Sequence, residues 1–253
     1  MRPSVLVTGG AKRIGAAIAA RFARAGWHVV IHHRSSAAQA EELAASFESG
    51  ETVHCDLADG DAAVAMVEDL ASRLGDWRAL INSASVFVPD GVTQLDPEMN
   101  RQSMQINALS PARTAQVYLA QAKATGGRHV IQVTDQKLRN PNPDFFSYTM
   151  SKHALDATIP MLAAGALDKD DRVYGLAPGA ILASHDQTDE EAEISHRLNL
   201  LHRRTDAQEI AEAALFLAHG HLVSGQTLFV DSGQHLLRQP RDVIYLAREG
   251  SGR

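Results

Sequence analysis

Apolar positions along the chain fall into short β-branched runs separated by longer amphipathic stretches. The runs Val5 to Thr8, Val29 to His32, Val53 to Cys55, Leu80 to Ile81, Val130 to Thr134, Val173 to Leu176 and Thr227 to Val230 predict seven strands. The intervening segments 37–48, 61–74 and 111–123 are rich in Ala, Leu and Glu and predict helices. Strands that alternate with helices in this way predict an α/β fold, a parallel sheet wound on both faces. No repeat, linker or low-complexity stretch breaks the alternation, so the 253 residues are read as one domain. Residues 180–204 hold no strand and carry mixed charges ahead of the last predicted helix. Two readings fit them: a mobile flap beside a site, or an ordinary surface helix.

Composition narrows the partners. A net charge of −6 with 45% hydrophobic and 21% charged residues suits a globule without general affinity for nucleic acid or anionic membrane. A single cysteine, Cys55, excludes an intrachain disulfide framework and a cysteine-rich metal site. No apolar run approaches the ~20 residues that span a bilayer, and the N-terminus lacks a charged-then-apolar secretory layout, so a cytoplasmic protein is expected. The twelve histidines form no His-x-x-x-His pair with the flanking carboxylates of zinc proteases, and no metal is expected. His32 and His33 would point to opposite faces of a strand.

Chemistry concentrates first in the turn after the first strand. In a doubly wound sheet this turn lies at the carboxyl ends of the strands, where backbone N–H groups and a helix dipole receive a pyrophosphate. Gly9, Gly10 and Gly15 fit that task, although any tight strand-to-helix turn uses glycine. At the end of the second strand, an NAD-binding chain would carry Asp or Glu for the ribose hydroxyls. Here the residues are His32-His33-Arg34-Ser35, a basic and hydroxyl cluster that suits the 2′-phosphate of NADP. Tyr148 is the one tyrosine of four with a lysine, Lys152, four residues later, which puts both on one helix face. A nearby ammonium favours phenolate and would lower the tyrosine pKa from its usual ~10.

Thr8-Gly9-Gly10-Ala11-Lys12-Arg13-Ile14-Gly15 resembles the Thr-Gly-x-x-x-Gly-x-Gly turn of the short-chain dehydrogenase/reductase family, which has a Rossmann-type fold. Arg13 replaces the middle glycine. The Lys-Arg-Ile-Gly ending is most similar to pteridine reductases and bacterial dihydromonapterin reductases, whose arginine reaches phosphate and the substrate pocket; a guanidinium there makes bidentate, charge-assisted contacts. The resemblance implies NADPH as cofactor, held by Gly9, Arg13, Ile14, Gly15, the cluster His33, Arg34 and Ser35, and Asp56-Leu57 near the adenine. Asp56 could equally cap its own turn. Asn82 and Ala84 after the fourth strand, Lys152, and Pro178-Gly179 after the sixth complete the implied cofactor set.

The same resemblance assigns the chemistry. Counting thirteen residues back from Tyr148 reaches Asp135, where ketone reductases of the family carry serine and pteridine reductases carry aspartate. A carboxyl there can supply or relay a proton to a ring nitrogen. Asn107 matches the family asparagine that orders a relay water. Ser85 and Phe87 match a pterin-binding serine and phenylalanine, with core packing the alternative for Phe87. The resemblance therefore implies an NADPH-dependent reductase of dihydromonapterin, dihydrobiopterin or dihydrofolate, with Arg13, Ser85, Phe87, Asp135 and Tyr148 at the substrate. The alternatives are a ketone or 3-oxoacyl reductase and a catalytically silent NADP-binding regulator. It also implies a homotetramer through helices at 111–123 and 148–167, with Pro160 inside the second, where an interior proline costs ~3 kcal/mol or kinks the helix.

Overall fold

The computed structural model describes residues 2–166, 168–181, 183 and 187–251. Seven parallel strands form one sheet: β1 (Ser4–Val7), β2 (His28–His33), β3 (Gly50–His54), β4 (Trp77–Asn82), β5 (His129–Val133), β6 (Arg172–Pro178) and β7 (Thr227–Val230), in the order β3-β2-β1-β4-β5-β6-β7. The helices are α1 (Arg13–Arg24), α2 (Ala37–Ala45), α3 (Gly60–Arg73), α4 (Pro97–Met104), α5 (Ser110–Gln121), α6 (Phe146–Ala164), α7 (Asp189–His196), α8 (Ala207–Ala218) and α9 (Val243–Ser251).

Side-chain alternation along each buried strand divides the core into two layers. Val5, Val7, Val29 and Ile31 face Ile18 and Phe22 of α1 and Ile210 and Ala214 of α8. Leu6, Val30, Leu80 and Val130 face Leu70 of α3, Tyr118 of α5 and Ile159 of α6. This is the expected Rossmann-type sheet, covered on both faces.

Three segments add to the sequence reading. Residues 189–196 form α7, started by a capping box in which Thr188 and Glu191 satisfy each other's backbone N–H, a helix that fits either reading of 180–204; residues 182 and 184–186 lie outside the described residues, as does residue 167 of the expected 148–167 helix. The last helix is α9, which follows β7, whereas the sequence reading places its last helix directly after residues 180–204, where α8 lies. Its apolar residues form one unbroken run, Val243 to Ala247, in a nine-residue element, and so short a run carries no helical period. Between α4 and α5 the chain makes a π-helical turn, Gln105–Leu109, which carries Asn107. Pro160 does not end α6, which continues to Ala164. It sits on the exposed face, where water can donate to the carbonyl left by the missing N–H.

Candidate active site

β1 pairs with β2 on one side and β4 on the other, so successive connections leave its carboxyl end in opposite directions and open a crevice there. A cavity of about 600 Å³ occupies that position. On its β1–β3 side the wall is the glycine turn. Gly9 has φ +64° and lies so close to the β4 loop that a Cβ would meet Ala84 Cα at 3.0 Å. A Cβ on Gly15 would lie 2.2 Å from the Gly9 carbonyl, so this glycine is required by the turn itself.

His32 holds the turn in place. Its Nδ1 accepts from the Gly9 N–H at 3.1 Å, and its Nε2 lies 3.0 Å from the Cys55 carbonyl. Burial pushes its pKa down to about 4, so the ring is neutral and the two bonds fix its proton on Nε2. Thr8 adds a second tie, its Oγ1 accepting from the N–H groups of Ser83 and Ala84. Neither role is readable from periodicity, because the partners are 23 and 75 residues or more away.

Around this cradle the cavity is lined by Arg13, Ile14, His33, Arg34, Ser35, Asp56, Leu57, Ala84, Pro178 and Gly179, all named in the sequence reading. Asn82 is the exception: its amide donates to the Pro111 carbonyl and accepts from Thr114, so the side chain is spent on the start of α5 and does not line the cavity. Asp56 accepts from the Ala58 N–H, and so it caps its own turn as well as lining the wall. Arg13 carries a φ of +55°, the left-handed conformation that the glycine it replaces would adopt without strain. Its Nη1 donates to the Ala183 carbonyl at 3.1 Å. The first turn of α1 holds no acidic residue and no side-chain cap, so its free N–H groups and the two cations at its start, Lys12 and Arg13, suit an anion.

On the β5 side the wall is built of titratable side chains. Tyr148 Oη donates to Asp135 Oδ2 at 2.7 Å, and Asp135 Oδ1 accepts from the Lys137 N–H at 2.8 Å. Desolvation pushes the Asp135 carboxyl above the usual carboxylate range, against the pull of Lys137, Tyr148 and Lys152. Lys152 Nζ donates to the Val133 carbonyl at 2.7 Å, and burial lowers it to about 8. The expected lowering of Tyr148 is reversed. Burial, then the charge of Asp135, drive the phenol well above its ordinary value, and the ammonium 5.6 Å from the ring centre does not offset them.

Asn107 is fully buried and does not line the cavity. Its amide donates to the Val86 carbonyl and to Ser151 Oγ and accepts from the Val86 N–H, so its side chain positions the loop after β4 rather than facing the reaction. Ser85 is exposed on the cavity wall. Phe87 meets both of the readings made for it: one face stacks on Phe145 at 4.0 Å, its ring stands edge-on to Tyr148 at 4.7 Å, and it remains 36% exposed on the cavity. Residues missed in the sequence include Gln136, Lys137, Asp242 and Ile244, all on the same wall. The proximity of Lys137 to Asp135 in the chain was the one signal available; nothing local marks the C-terminal pair. Among the described residues, no group of three or more His, Cys, Asp or Glu side chains could hold a metal ion.

The model of a reductase family described as enoyl-(acyl carrier protein) reductase matches residues 9–235 of this chain. The chain belongs to the short-chain dehydrogenase/reductase family. The alternative dihydrofolate reductase 1 (FolM) of Brucella suis, solved in complex with NADP, superposes with a TM-score of 0.87 at 31% identity, over 93% of this chain and 96% of that one. The 7alpha-hydroxysteroid dehydrogenase of Escherichia coli is 29% identical over 238 residues, 90% of this chain and 92% of its own. Pteridine reductase 1 of Leishmania tarentolae is 26% identical over 281 residues, 93% of this chain and 97% of its own. Short-chain reductases of different substrate classes thus share this backbone, and the choice of substrate has to be argued from side chains.

Proposed function

We propose that this short-chain reductase uses NADPH to reduce a pterin, namely dihydromonapterin, dihydrobiopterin or dihydrofolate, to its tetrahydro form. The observation that carries the reading is the 2.7 Å bond from Tyr148 to a carboxyl, Asp135, at the position where a ketone reductase of the family has a hydroxyl. Reducing a ring C=N bond needs a hydride on carbon and a proton on nitrogen. A carboxyl whose acid form persists above the ordinary range is a suitable proton source for that nitrogen.

The residues present fit the cofactor. The glycine cradle at Gly9 and Gly15 leaves no room for a Cβ, and His33 Nδ1 is buried without a hydrogen-bond partner beside exposed Arg34 and Ser35, which suits an added phosphate. When bound, the dihydronicotinamide supplies the hydride. Asp135 and Tyr148 hold the proton, Lys152, which donates to the Val133 carbonyl, would hold the nicotinamide ribose, and the open face of Phe87 offers a stacking surface for a flat ring. Arg13, Ser85, Phe87, Asp135 and Tyr148 form the substrate set and Gly9, Arg13, Ile14, Gly15, His33, Arg34, Ser35, Asp56, Leu57, Ala84, Lys152, Pro178 and Gly179 the cofactor set, all within one domain.

FolM and pteridine reductase 1 stand among the relatives beside enzymes of other substrate classes, so it is the carboxyl of Asp135 that supports this choice over a ketone. NADPH oxidation measured against dihydropterins, dihydrofolate and simple ketones tests it. Dihydropterin turnover is the expected result; turnover on ketones alone overturns it, and stoichiometric NADPH binding without turnover would make the chain a silent regulator. We also assign it a cytoplasmic setting and a homotetramer. Met150 and Met161 on α6 and Leu109 before α5 are exposed apolar groups suited to such an interface. Light scattering at micromolar concentration that reads a monomer would refute the assembly.

A further inference from the structure

The polar wall opposite the glycine cradle is woven from two distant parts of the chain. The loop after β5 and the segment leading into α9 are joined by Asn140 donating to Gln239 Oε1 at 2.8 Å, Arg241 on Asp144 at 2.8 Å, and the Asp242 N–H on the same Asp144 carboxylate. The innermost link is an ion pair. Lys137 Nζ lies 2.7 Å from Asp242 Oδ2, with both side chains almost completely buried on the cavity wall. Asp242 also caps α9, its Oδ1 accepting from the Ile244 N–H at 3.0 Å, while Ile244 packs with Phe145 and Tyr148. Lys137 in turn gives its backbone N–H to the one Asp135 oxygen that Tyr148 leaves free.

Two charges of opposite sign therefore stand beside the Asp135–Tyr148 pair, one on its own loop and one on the C-terminal helix. An ion pair that merely fastened the tail would be a weak choice, because desolvating both charges offsets most of their attraction, and apolar packing would serve as well. Its position suggests a different use. We propose that Lys137 and Asp242 are positioning residues that fix the carboxyl of Asp135 and, by balancing each other's charge, set the pH at which it delivers its proton. The proposal rests on the reading of Asp135 as the acid in pterin reduction.

The groups facing Asp135 are Tyr148 and Lys152 from α6 and Lys137 from its own loop; Asp242, at the start of α9, faces Lys137 and Tyr148, and Asp144 with its partner Arg241 stands on the other side of Lys137. The cation favours carboxylate at Asp135, and Asp242 opposes ionisation of Tyr148. Under this proposal the Asp242 carboxylate, 2.7 Å from the ammonium of Lys137, offsets that cation at the acid. Unpaired, each would move it in its own direction.

The test is the pH dependence of kcat for dihydropterin reduction in three variants at saturating NADPH. Lys137→Gln removes the cation and should move the falling limb to higher pH. Asp242→Asn leaves the cation unbalanced and should move it to lower pH. The double variant, with amide facing amide, should return the limb to its wild-type position, and NADPH affinity should stay within about threefold throughout. Opposed shifts that cancel are not produced by loosening of the tail, which would lower kcat without moving the limb. Limbs that stay in place, or that move the same way in both single variants, overturn the proposal. If one single variant does not fold, the other decides together with the double: a shift that the second substitution reverses supports the balance, and one that persists overturns it. Asp135→Asn keeps the two readings apart. Loss of the limb in that variant, with no shift in the others, defeats the charge balance alone; an unchanged limb in Asp135→Asn defeats the role of Asp135 as the acid.

Discussion

On the β1–β3 side of the cleft, His32 spends both ring nitrogens tying backbone to backbone, and the cations Arg13 and Arg34 stand exposed. On the β5 side, Tyr148, Lys152, Lys137 and Asp242 are all buried, and each ends on another polar group of the chain. The first side is a backbone cradle with charges added at its rim. The second is a network in which every member changes the proton affinity of the next. Exposed groups act on affinity and are screened by water, whereas buried groups that share hydrogen bonds are strongly coupled and act on the chemistry. Substitutions should divide along that line.

The sharpest break is expected at Tyr148. Tyr148→Phe removes the hydroxyl that donates to Asp135 and leaves the glycine cradle untouched. Turnover on every substrate should fall about 10²- to 10⁴-fold, the usual contribution of a positioned proton donor, while NADPH affinity, read by fluorescence titration, stays within about threefold. Retention of a tenth or more of the activity would put the proton source elsewhere.

Asp135→Ser is the next in size. Turnover on dihydropterin should drop about 10²-fold, and any ketone activity should not fall in parallel, because serine restores the ketone-reductase pattern but carries no acid. The sign of the pH effect follows from burial. The Asp135 pKa is raised, so its acid form survives above the ordinary carboxylate range, and the rate should decline as pH rises through that raised value. In the serine variant the remaining rate should lack this decline.

On the cradle side, Arg34→Asp should weaken NADPH roughly 10- to 100-fold, the scale of one charge-assisted hydrogen bond, and leave NADH within about threefold. Equal loss for both cofactors would mean that the exposed guanidinium does not read the extra phosphate.

The two sides also differed in how far the sequence disclosed them. The strands, the glycine turn and the Tyr148–Lys152 face were legible because they rest on spacings of two, four or a few residues, which backbone periodicity sets directly. Asp135 was legible from its distance to Tyr148. Lys137 with Asp242 was not, since the pair joins residues 105 positions apart through a helix, α9, whose pattern is too short to announce itself. That the side chains of Asn82 and Asn107 do not line the cavity was hidden for the complementary reason. Both lie in the expected segments, but their amides face neighbouring elements, and only the packing of α5, α6 and the loop after β4 decides that. The direction of the Tyr148 shift failed likewise, because a one-dimensional spacing shows the ammonium and hides the burial.

The smallest expected effect concerns Arg13, where the cradle departs from its own logic. A left-handed φ of +55° on a residue with a Cβ is costly, about 1–2 kcal/mol by the handedness of L-residues. A glycine there would relieve it, at the expense of about 0.5–1 kcal/mol of extra chain entropy in the unfolded state. Arg13→Gly should therefore raise the stability of the ligand-free protein by about 1 kcal/mol or less, a few degrees in melting temperature. The contact with the Ala183 carbonyl lost in the exchange is exposed and adds little. The same change should weaken NADPH and dihydropterin by about three- to tenfold, since the guanidinium lines the cavity at the uncapped start of α1. Thermal unfolding without ligands and KM values for both substrates measure the two halves. A variant that gains stability and loses affinity would mean that the strain is kept for binding. Unchanged KM values would leave Arg13 without a functional reason for its conformation and would make the cradle indifferent to the charge at its rim.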